Sequence, residues 1–569
     1  MASLALSSRA SHLLCRSIRL SSSRLSTAIK LARPCTTIRW YTVSSDDRIL
    51  RSSYPAIDVP KNQSYVQFIL DCCKRNGDKE ALVDGPTGET YTYTDLITLI
   101  KKCGSALLQA GVKPKDVALL HLPNIMQYPV YLYGAQAIGA VVTTANPGYT
   151  VDELAYQLID SSAKYIITDS KLYHTAIEAA RKANVEHVFE SVEFFKDLLK
   201  DDGSKLKGVY SPTDPTEAIC MPYSSGTTGV SKGVLQSHYN YIGHALSLGS
   251  KEFMQWDKRL VTLSLLPLFH AFGLAVNVGM HFYLGSKVIL LQGFEPEQLL
   301  KTIEKYKVND FPMVPPLALF LAKHPLVDKY DLSSLESMIS AAAPVGKGIL
   351  RTMAERIPSL KIVRQGYGLT EATAGAIVNP IDPTKCKDGS VGVLLPNLEG
   401  KVTDLDTGEA LGPNQEGEIC LRGPIVTHGY LNKPEQTANT FTSDGWLHTG
   451  DIGYYDTEDY FYITDRLKEL IKYKGHQVPP AELEALLVSH PHIADAAVIG
   501  IPDDVAGELP RAFVVVKAEI SEREILDFVT EHVAPEKKLR GGVEFVEAIP
   551  KTPTGKILRR VLKKEALAR

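Results

Sequence analysis

Between residues 224 and 233 the chain reads SSGTTGVSKG, three glycines, five hydroxyl side chains and one lysine in ten positions. Such a run buries almost nothing, so it is either a flexible linker or a backbone cradle for an anion. Glycines expose backbone N–H groups, hydroxyls donate and Lys232 adds a positive charge, a combination that suits a polyphosphate. It is not a Walker loop: counted from Gly226, the second glycine would have to stand where Ser231 is, and no GxGxxG pattern follows. Against a linker, the strand-like AICMPYS (218–224) runs straight into it and it sits in mid-domain. Other side chains with chemical potential are isolated. His270 lies in the apolar run LPLFHAFG (266–273), where a histidine is more often a satisfied core residue. Lys556 lies in a basic tail with Lys551, Arg559, Arg560, Lys563 and Lys564, where a lysine is usually solvated charge.

The elements that must position such groups alternate between helix and strand. TYTDLITLIKKCGSALLQAG (92–111) carries an apolar stripe at Leu96, Ile100, Cys103, Leu107 and Ala110, and Gly111 suits its C-terminal stop. VALLHL (117–122) reads as a buried strand, TVDE (150–153) as a capping box opening another helix, and KYIITD (164–169) as the next strand. Repetition of this order implies parallel sheets with crossover helices. The last hundred or so residues form a smaller mixed unit, with helices at PAELEALLVSH and SEREILDFVTEHV and strands at ADAAVIGI and RAFVVV.

With 569 residues the chain is too long for one ordinary core, and two or more domains are expected. A formal net charge of −3 gives no electrostatic pointer to nucleic acid. The eight cysteines form no CxxC pair, which reads as reduced thiols and no zinc site. Two stretches without formal charge, 117–151 and 260–286, are broken by Pro123, Pro129, Pro147, Pro267 and Gly273, and read as strand, loop and helix rather than membrane spans. Residues 1–45 differ: Arg9, Arg16, Arg19, Arg24, Lys30, Arg33 and Arg39 appear with many serines and no acidic residue. That is the composition of a mitochondrial transit peptide, and the expectation is a cleaved leader and a matrix protein, with a cytoplasmic location as the alternative. Cleavage would take the net charge from −3 to about −10. The C-terminal KKEALAR is no peroxisomal address.

The anion-cradle segment does not stand alone. It is followed in order by LPLFHAFG (266–273), SAAAPVG (340–346), QGYGLTEAT (365–373), GEICLRGP (417–424), DGWLHTGD (444–451), DRLKELIKYKGHQVPPAELE (465–484) and PKTPTGKILRR (550–560). In this order and spacing the chain resembles the adenylate-forming superfamily, and within it the branch of acyl-CoA synthetases, 4-coumarate–CoA ligases and beetle luciferases, over nearly everything after residue 50. The resemblance implies an α/β fold: a large N-terminal domain, 46–466, of parallel and mixed sheets with crossover helices, and a small mobile α+β C-terminal domain, 467–569. It also implies ATP, Mg²⁺ and CoA as cofactor and co-substrates, a small carboxylic acid as substrate, and neither nucleic acid nor a transmembrane segment.

The chemistry so implied is elementary. A carboxylate repels nucleophiles; joined to AMP it becomes a mixed anhydride with a good leaving group. The protein has to position reactants and neutralise developing charge, with a phosphate cradle, a nucleotide clamp, a metal and a mobile cation. The resemblance assigns Ser224, Ser225, Gly226, Thr227, Thr228, Gly229 and Lys232 to the β- and γ-phosphates. It assigns Gln365 to ATP and AMP binding, places Tyr367 against adenine between Gly366 and Gly368, Thr370 at the α-phosphate and Glu371 on Mg²⁺. Asp451 is assigned to the ribose hydroxyls, with Arg466 as a second nucleotide contact. Lys556 is the cation of the first half-reaction. Lys472 and Gln477 serve the second, in which the CoA thiol attacks the acyl-adenylate; Lys474 and Gly475 are assigned to CoA and Lys468 to the hinge.

Acid selectivity is carried, by the same resemblance, by His270, Phe272, Val276, Ala341, Ala342, Ala374 and Gly375. Phe272 lacks the hydroxyl of the tyrosine common in 4-coumarate–CoA ligases, Ala341 replaces a glycine, and Ala374-Gly375 replace Pro-Val. None of these positions is charged, so an apolar acyl tail is expected, from a fatty or aryl-alkyl acid, with a hydroxycinnamate as the alternative. His476 stands where relatives often carry Phe or Tyr. Two further readings differ in class: an adenylating enzyme that hands its acyl group to a carrier protein or oxidises it as luciferases do, and a non-catalytic AMP- or acyl-binding scaffold. The first of these lacks any evident carrier domain, and its luciferase form conflicts with a mitochondrial leader. The presence of Lys556, Glu371 and Asp451 together disfavours the second.

Overall fold

The computed structural model describes residues 48–185, 187–224, 231–341, 347–467, 469–474, 476–503, 505–533, 535–552 and 555–568. The leader at 1–45 therefore lies outside the described residues, as do Ser225, Gly226, Thr227, Thr228, Gly229, Ala342, Lys468 and Gly475.

Four sheets organise the described residues. In the first, Val117–His121 is flanked in parallel by Val141–Thr144 and Ala163–Thr168, and Ala218–Ser224 extends it beyond Val141–Thr144. In the second, Ile362–Gly368, Ser337–Ser340, Asp310–Met313, Val261–Ser264 and Lys287–Leu290 run parallel, edged by antiparallel Gly375–Val378. The third is antiparallel throughout and holds Gly417–Arg422, Leu447–Tyr455 and Phe461–Arg466. Phe461–Arg466 is its last strand in the chain. The next, Ile471–Tyr473, belongs to the fourth sheet, built with Ile493–Asp503 and Gly507–Val516.

Local chemistry explains the boundaries. The helix Tyr93–Gln109 opens on a capping box, Thr92 with Asp95, and closes before Gly111 at φ +90°. Val151–Ser161 opens on the box Thr150–Glu153, and Glu522–His532 on Ser521–Glu524. Each such cap satisfies orphan N–H groups and stabilises its helix by about 1 kcal/mol. The charge-free stretch 117–151 becomes strand, helix Tyr128–Ala137 and strand. The second becomes strand Val261–Ser264 and a helix of π pitch, Gly273–Met280, continued by His281–Leu284. Among the described residues no helix is long and apolar enough to cross a membrane.

The largest apolar core joins helices Tyr65–Asn76, Tyr93–Gln109 and Tyr128–Ala137 to the faces of the first three sheets. The fourth sheet has its own core, in which Ile471, Leu483, Val498, Val514, Ile525 and Val529 are buried. Parallel strands in α/β sheets end at clefts where loops collect, and Ser224, Gln365–Gly368, Thr370 and Glu371 sit on such strand ends and the loop beyond them, whereas Asp451 and Arg466 come from the antiparallel third sheet.

Candidate active site

Asp451 is the hub. Its side chain is only 5% exposed, yet Arg466 Nε lies 3.0 Å from Oδ1 and the Tyr367 hydroxyl donates to Oδ2 at 2.6 Å. Asp451 and Arg466 face each other across the ladder of Leu447–Tyr455 with Phe461–Arg466, while Tyr367 comes from the end of Ile362–Gly368 in another sheet. Burial pushes the Asp451 carboxyl up, opposed chiefly by Arg466. The Tyr367 phenol is pushed well above its ordinary range, first by burial and then by Asp451, so it remains a donor. Of its two flanking glycines, Gly368 is obligatory, because a Cβ there would fall 1.7 Å from the Ala374 carbonyl oxygen; at Gly366 the nearest atom would be an ordinary 3.4 Å away.

A second group surrounds Glu371. Its Oε1 accepts from Ser224 Oγ at 3.1 Å and from the Tyr430 hydroxyl at 2.9 Å. Lys232 Nζ lies 4.9 Å over the Tyr430 ring. Tyr223–Ser224 and Lys232–Gly233 pair as antiparallel strands, which sets Ser224 and Lys232 opposite each other; the cradle residues Ser225–Gly229 lie outside the described residues. Thr370 opens the short turn Thr370–Ala372, and its carbonyl accepts from buried Gln236 at 2.9 Å. A carboxylate beside a hydroxyl is a hard, all-oxygen donor set, so these residues fit Mg²⁺. The two groups adjoin, because Tyr367 ends the strand Ile362–Gly368 and Glu371 lies in the turn Thr370–Ala372 that directly follows it.

Lys556 enters from the C-terminal region. Its loop is closed by Thr552 N–H to the Lys556 carbonyl at 2.8 Å and Lys556 N–H to Thr552 Oγ1 at 3.1 Å. Gly555, at φ +82°, packs so tightly that a Cβ would lie 3.1 Å from Pro316, at the start of helix Pro315–Lys323. The ammonium is held below its ordinary pKa, first by burial, then by Arg466, and its charge acts on both Asp451 and His270. His270 is pushed down to about 4 by burial and secondarily by Lys556. Its Nδ1 accepts the Phe272 N–H at 3.3 Å, leaving the imidazole neutral with its proton on Nε2.

The structure thus gathers Ser224, Lys232, Tyr367, Glu371, Asp451, Arg466, Lys556 and His270. Gln365, the residue two before Tyr367, is buried, and its carbonyl accepts from Asn379. Of the acid-pocket candidates, Val276 and Ala374 are buried, whereas Phe272, Ala341 and Gly375 are partly exposed. The Gly375 N–H donates to Nε2 of buried His244 at 3.3 Å. Lys472 and Lys474 are not brought in: both are exposed, Lys472 near Glu508 and Lys474 at φ +48° beside Tyr473. Gln477 pairs with Lys472 on the adjoining strand, and its side chain lies outside the described residues.

Three participants escaped the sequence reading. Tyr430, 59 positions from Glu371, has no spacing signal of its own. His244 was hidden within an apolar helix, His238–Leu248. Glu418 lies in GEICLRGP, whose sequence points to no role for it; with Cys420 and His448 it places three potential ligand atoms within 4.8 Å of one another.

Comparison with known proteins supports the geometry. Residues 70–431 match the family model of AMP-binding enzymes, and residues 482–556 that of the AMP-binding enzyme C-terminal domain. A 4-coumarate–CoA ligase of Solanum tuberosum is 40% identical over 536 residues, covering 92% of this chain and 97% of the relative. The anthranilate CoA ligase solved with anthranoyl-AMP superposes with a TM-score of 0.81 at 26% identity, over 90% of this chain and 99% of the other. A Mycobacterium tuberculosis fatty acyl CoA synthetase does so with a TM-score of 0.71 at 28% identity, over 89% and 98%. Matched by these two family models over residues 70–431 and 482–556, and 40% identical to a 4-coumarate–CoA ligase over 92% of its length, the chain belongs to the family of AMP-binding enzymes.

Proposed function

We propose that this chain is an AMP-forming acid–CoA ligase acting on a fatty or aryl-alkyl acid. The observation that carries the reading is Lys556, delivered by the C-terminal region into the same electrostatic neighbourhood as Asp451, Arg466 and His270. In the first half-reaction a carboxylate oxygen attacks the α-phosphorus of ATP, the bond to the bridging oxygen breaks, and pyrophosphate leaves. Asp451 accepts the ribose hydroxyls, Tyr367 lies against adenine, and Ser224 and Lys232 donate to the leaving phosphates. Lys556 neutralises charge shared between the carboxylate and the α-phosphate. Neutral His270 can stand beside an apolar acyl group without bringing a charge into its pocket. Glu371 and Ser224 would hold Mg²⁺, which supplies electrostatic stabilisation of the phosphate oxygens when bound.

In the second half-reaction the CoA sulfur attacks the acyl carbonyl and AMP leaves. Lys472 and Gln477 belong to this step in our reading, reached by rotation of residues 467–569 about Lys468. The exposure of Lys472 while Lys556 is half-buried supports two alternating faces. The similarity to 4-coumarate–CoA ligases favours an aryl-alkyl acid, and Phe272 supplies no hydroxyl for a ring substituent. The basic, acid-free residues 1–45 support import into the mitochondrial matrix; deleting them from the chain expressed in cells should abolish mitochondrial fractionation.

The test is pyrophosphate release and thioester formation across a panel of fatty, phenylalkanoic and hydroxycinnamic acids, with and without CoA. CoA-dependent thioester with the apolar acids is the expected result. Hydroxycinnamate turnover alone would reassign the substrate, adenylate without thioester would point to a carrier-loading enzyme, and no turnover of ATP with any acid would refute the ligase reading.

A further inference from the structure

The strand that carries Asp451 is not regular. In its ladder with Gly417–Arg422, Glu418 faces Ile452 and Cys420 faces His448. One residue, Ile419, therefore spans the distance covered by three, Thr449, Gly450 and Asp451. Two extra residues must arch out of the sheet, and the arch aims Asp451 at Tyr367 and Arg466. An arch of this kind frees backbone groups that the ladder cannot pair. Three of them find partners here. The Gly450 carbonyl accepts from Leu467 N–H at 2.9 Å, and Asp451 N–H donates to Thr449 Oγ1 at 3.1 Å, which itself donates to the Ile419 carbonyl at 2.7 Å. The Gly450 N–H, at the crest and at φ +69°, donates to Glu418 Oε1 at 2.9 Å.

The second oxygen of Glu418 is also committed: His448 Nδ1 lies 2.8 Å from Oε2. The Glu418 side chain is 13% exposed and that of His448 35%. His448 is pushed up to about 10 by its hydrogen bonds to Cys420 and Glu418, so it is an imidazolium at neutral pH. One carboxylate thus grips both the foot of the arch, at His448, and its crest, at Gly450. These bonds engage the atoms that metal ligation by Glu418 and His448 would require, and they account for the cluster without an ion.

We infer that Glu418 is a positioning residue for nucleotide binding, its bidentate carboxylate clamping the 448–451 arch so that Asp451 meets the ribose. The inference rests on the adenylation reading above, since only there does Asp451 have a ribose to meet. It concerns geometry and not direct contact. A displacement of about 1 Å in a positioning group can cost on the order of 10²-fold, whereas the acid-binding residues Phe272 and Val276 lie on other elements and are untouched.

The experiment compares the full chain with Glu418→Ala and Glu418→Gln. Binding of AMP is measured by calorimetric titration, KM for ATP and for the acid by pyrophosphate release, and Tm by scanning calorimetry. For Glu418→Ala the expected result is a rise in Kd for AMP and KM for ATP of about 10- to 100-fold, with KM for the acid within about twofold and a cooperative melt retained. Glu418→Gln keeps one carbonyl oxygen for Gly450 N–H and loses the charged partner of His448. It should recover part of the loss, to roughly 3- to 10-fold above the parent. Should Glu418→Ala fail to fold, Glu418→Gln carries the test alone. Unchanged AMP affinity in a folded variant, or parallel rises in KM for ATP and acid, overturns the inference while leaving the ligase reading intact. A parent chain that binds no adenine nucleotide overturns both.

Discussion

Tyr430 offers a clean perturbation. Its hydroxyl donates to Glu371 Oε1 at 2.9 Å, while its ring carries Lys232 at 4.9 Å and meets Phe441 edge-on at 5.7 Å. Its backbone bridges to Val234 and donates to Thr437 Oγ1 at 3.0 Å. Tyr430→Phe therefore deletes one hydrogen bond to a carboxylate and leaves ring, cation contact and backbone in place. The phenol is raised far above neutrality by burial first and Glu371 second, so the native group is a donor at every working pH. A hydrogen bond to a charged partner contributes about 1.5–3 kcal/mol. Ser224 Oγ donates to the same oxygen at 3.1 Å and can take up part of the loss, which favours the lower end, about 1.5–2 kcal/mol, or roughly 12- to 30-fold in kcat/KM for ATP.

The assay is ATP–pyrophosphate exchange at saturating acid, repeated over a Mg²⁺ titration, with thermal unfolding as the control. Tyr430→Phe should lower the exchange by the stated factor and raise the Mg²⁺ concentration needed for half-maximal rate. Tyr430→Leu, which also removes the ring beneath Lys232, should cost a further 0.5–1 kcal/mol or so. Because Ser224 and Tyr430 share one acceptor, the double variant Ser224→Ala, Tyr430→Phe should depart from additivity by at least about 0.5 kcal/mol. A folded Tyr430→Phe protein with exchange within twofold of the parent refutes the reasoning, since the hydroxyl would then have no part in orienting Glu371.

The two-face reading separates two lysines. Lys556→Ala should lower adenylate formation by about 10²- to 10³-fold, the range for one preorganised electrostatic donor, while thioester formation from supplied acyl-adenylate is spared; Lys472→Ala should do the reverse, and loss of only the first step in both variants would count against it. A pH effect on stability is expected at the junction of the third and fourth sheets. There Arg559 meets both Glu484, at 2.8 Å, and Glu469, at 3.3 Å. Burial, only partly offset by Arg559, pushes Glu484 up to about 7, and burial pushes Asp465 up to about 6. Carboxyls raised in the folded state contribute stability that is present below their unfolded values, near 4, and lost as pH rises through 6 to 7. Calorimetric unfolding should therefore show Glu484→Gln gaining on the parent by on the order of 3 kcal/mol between pH 5 and pH 8; an identical pH slope in the two proteins would show that Glu484 does not titrate in that window.

What the sequence disclosed and what it concealed follow from the range of the interactions involved. Helix starts at Thr92, Thr150 and Ser521 were legible because a capping box is complete within four residues. Strands such as Val117–His121 were legible because burial on both faces writes itself as a continuous apolar run. The clamp was legible only as far as each member carried its own motif: Tyr367 and Asp451 are 84 positions apart, and nothing in either segment states that a 2.6 Å bond joins them. Tyr430 and Glu418 show the limit more sharply. Each acts on a residue 59 or 32 positions away, through a register or a loop crossing that exists only once sheets have formed. The arch at 448–451 is the clearest case. That HTGD (448–451) is two residues too long for its partner strand depends on pairing with Glu418 and Cys420. A side chain that supports a catalytic residue is therefore concealed in proportion to how completely it acts through backbone register. Such residues are best sought at ladder irregularities beside a carboxylate or cation already known to face the substrate, which is where Glu418 lies.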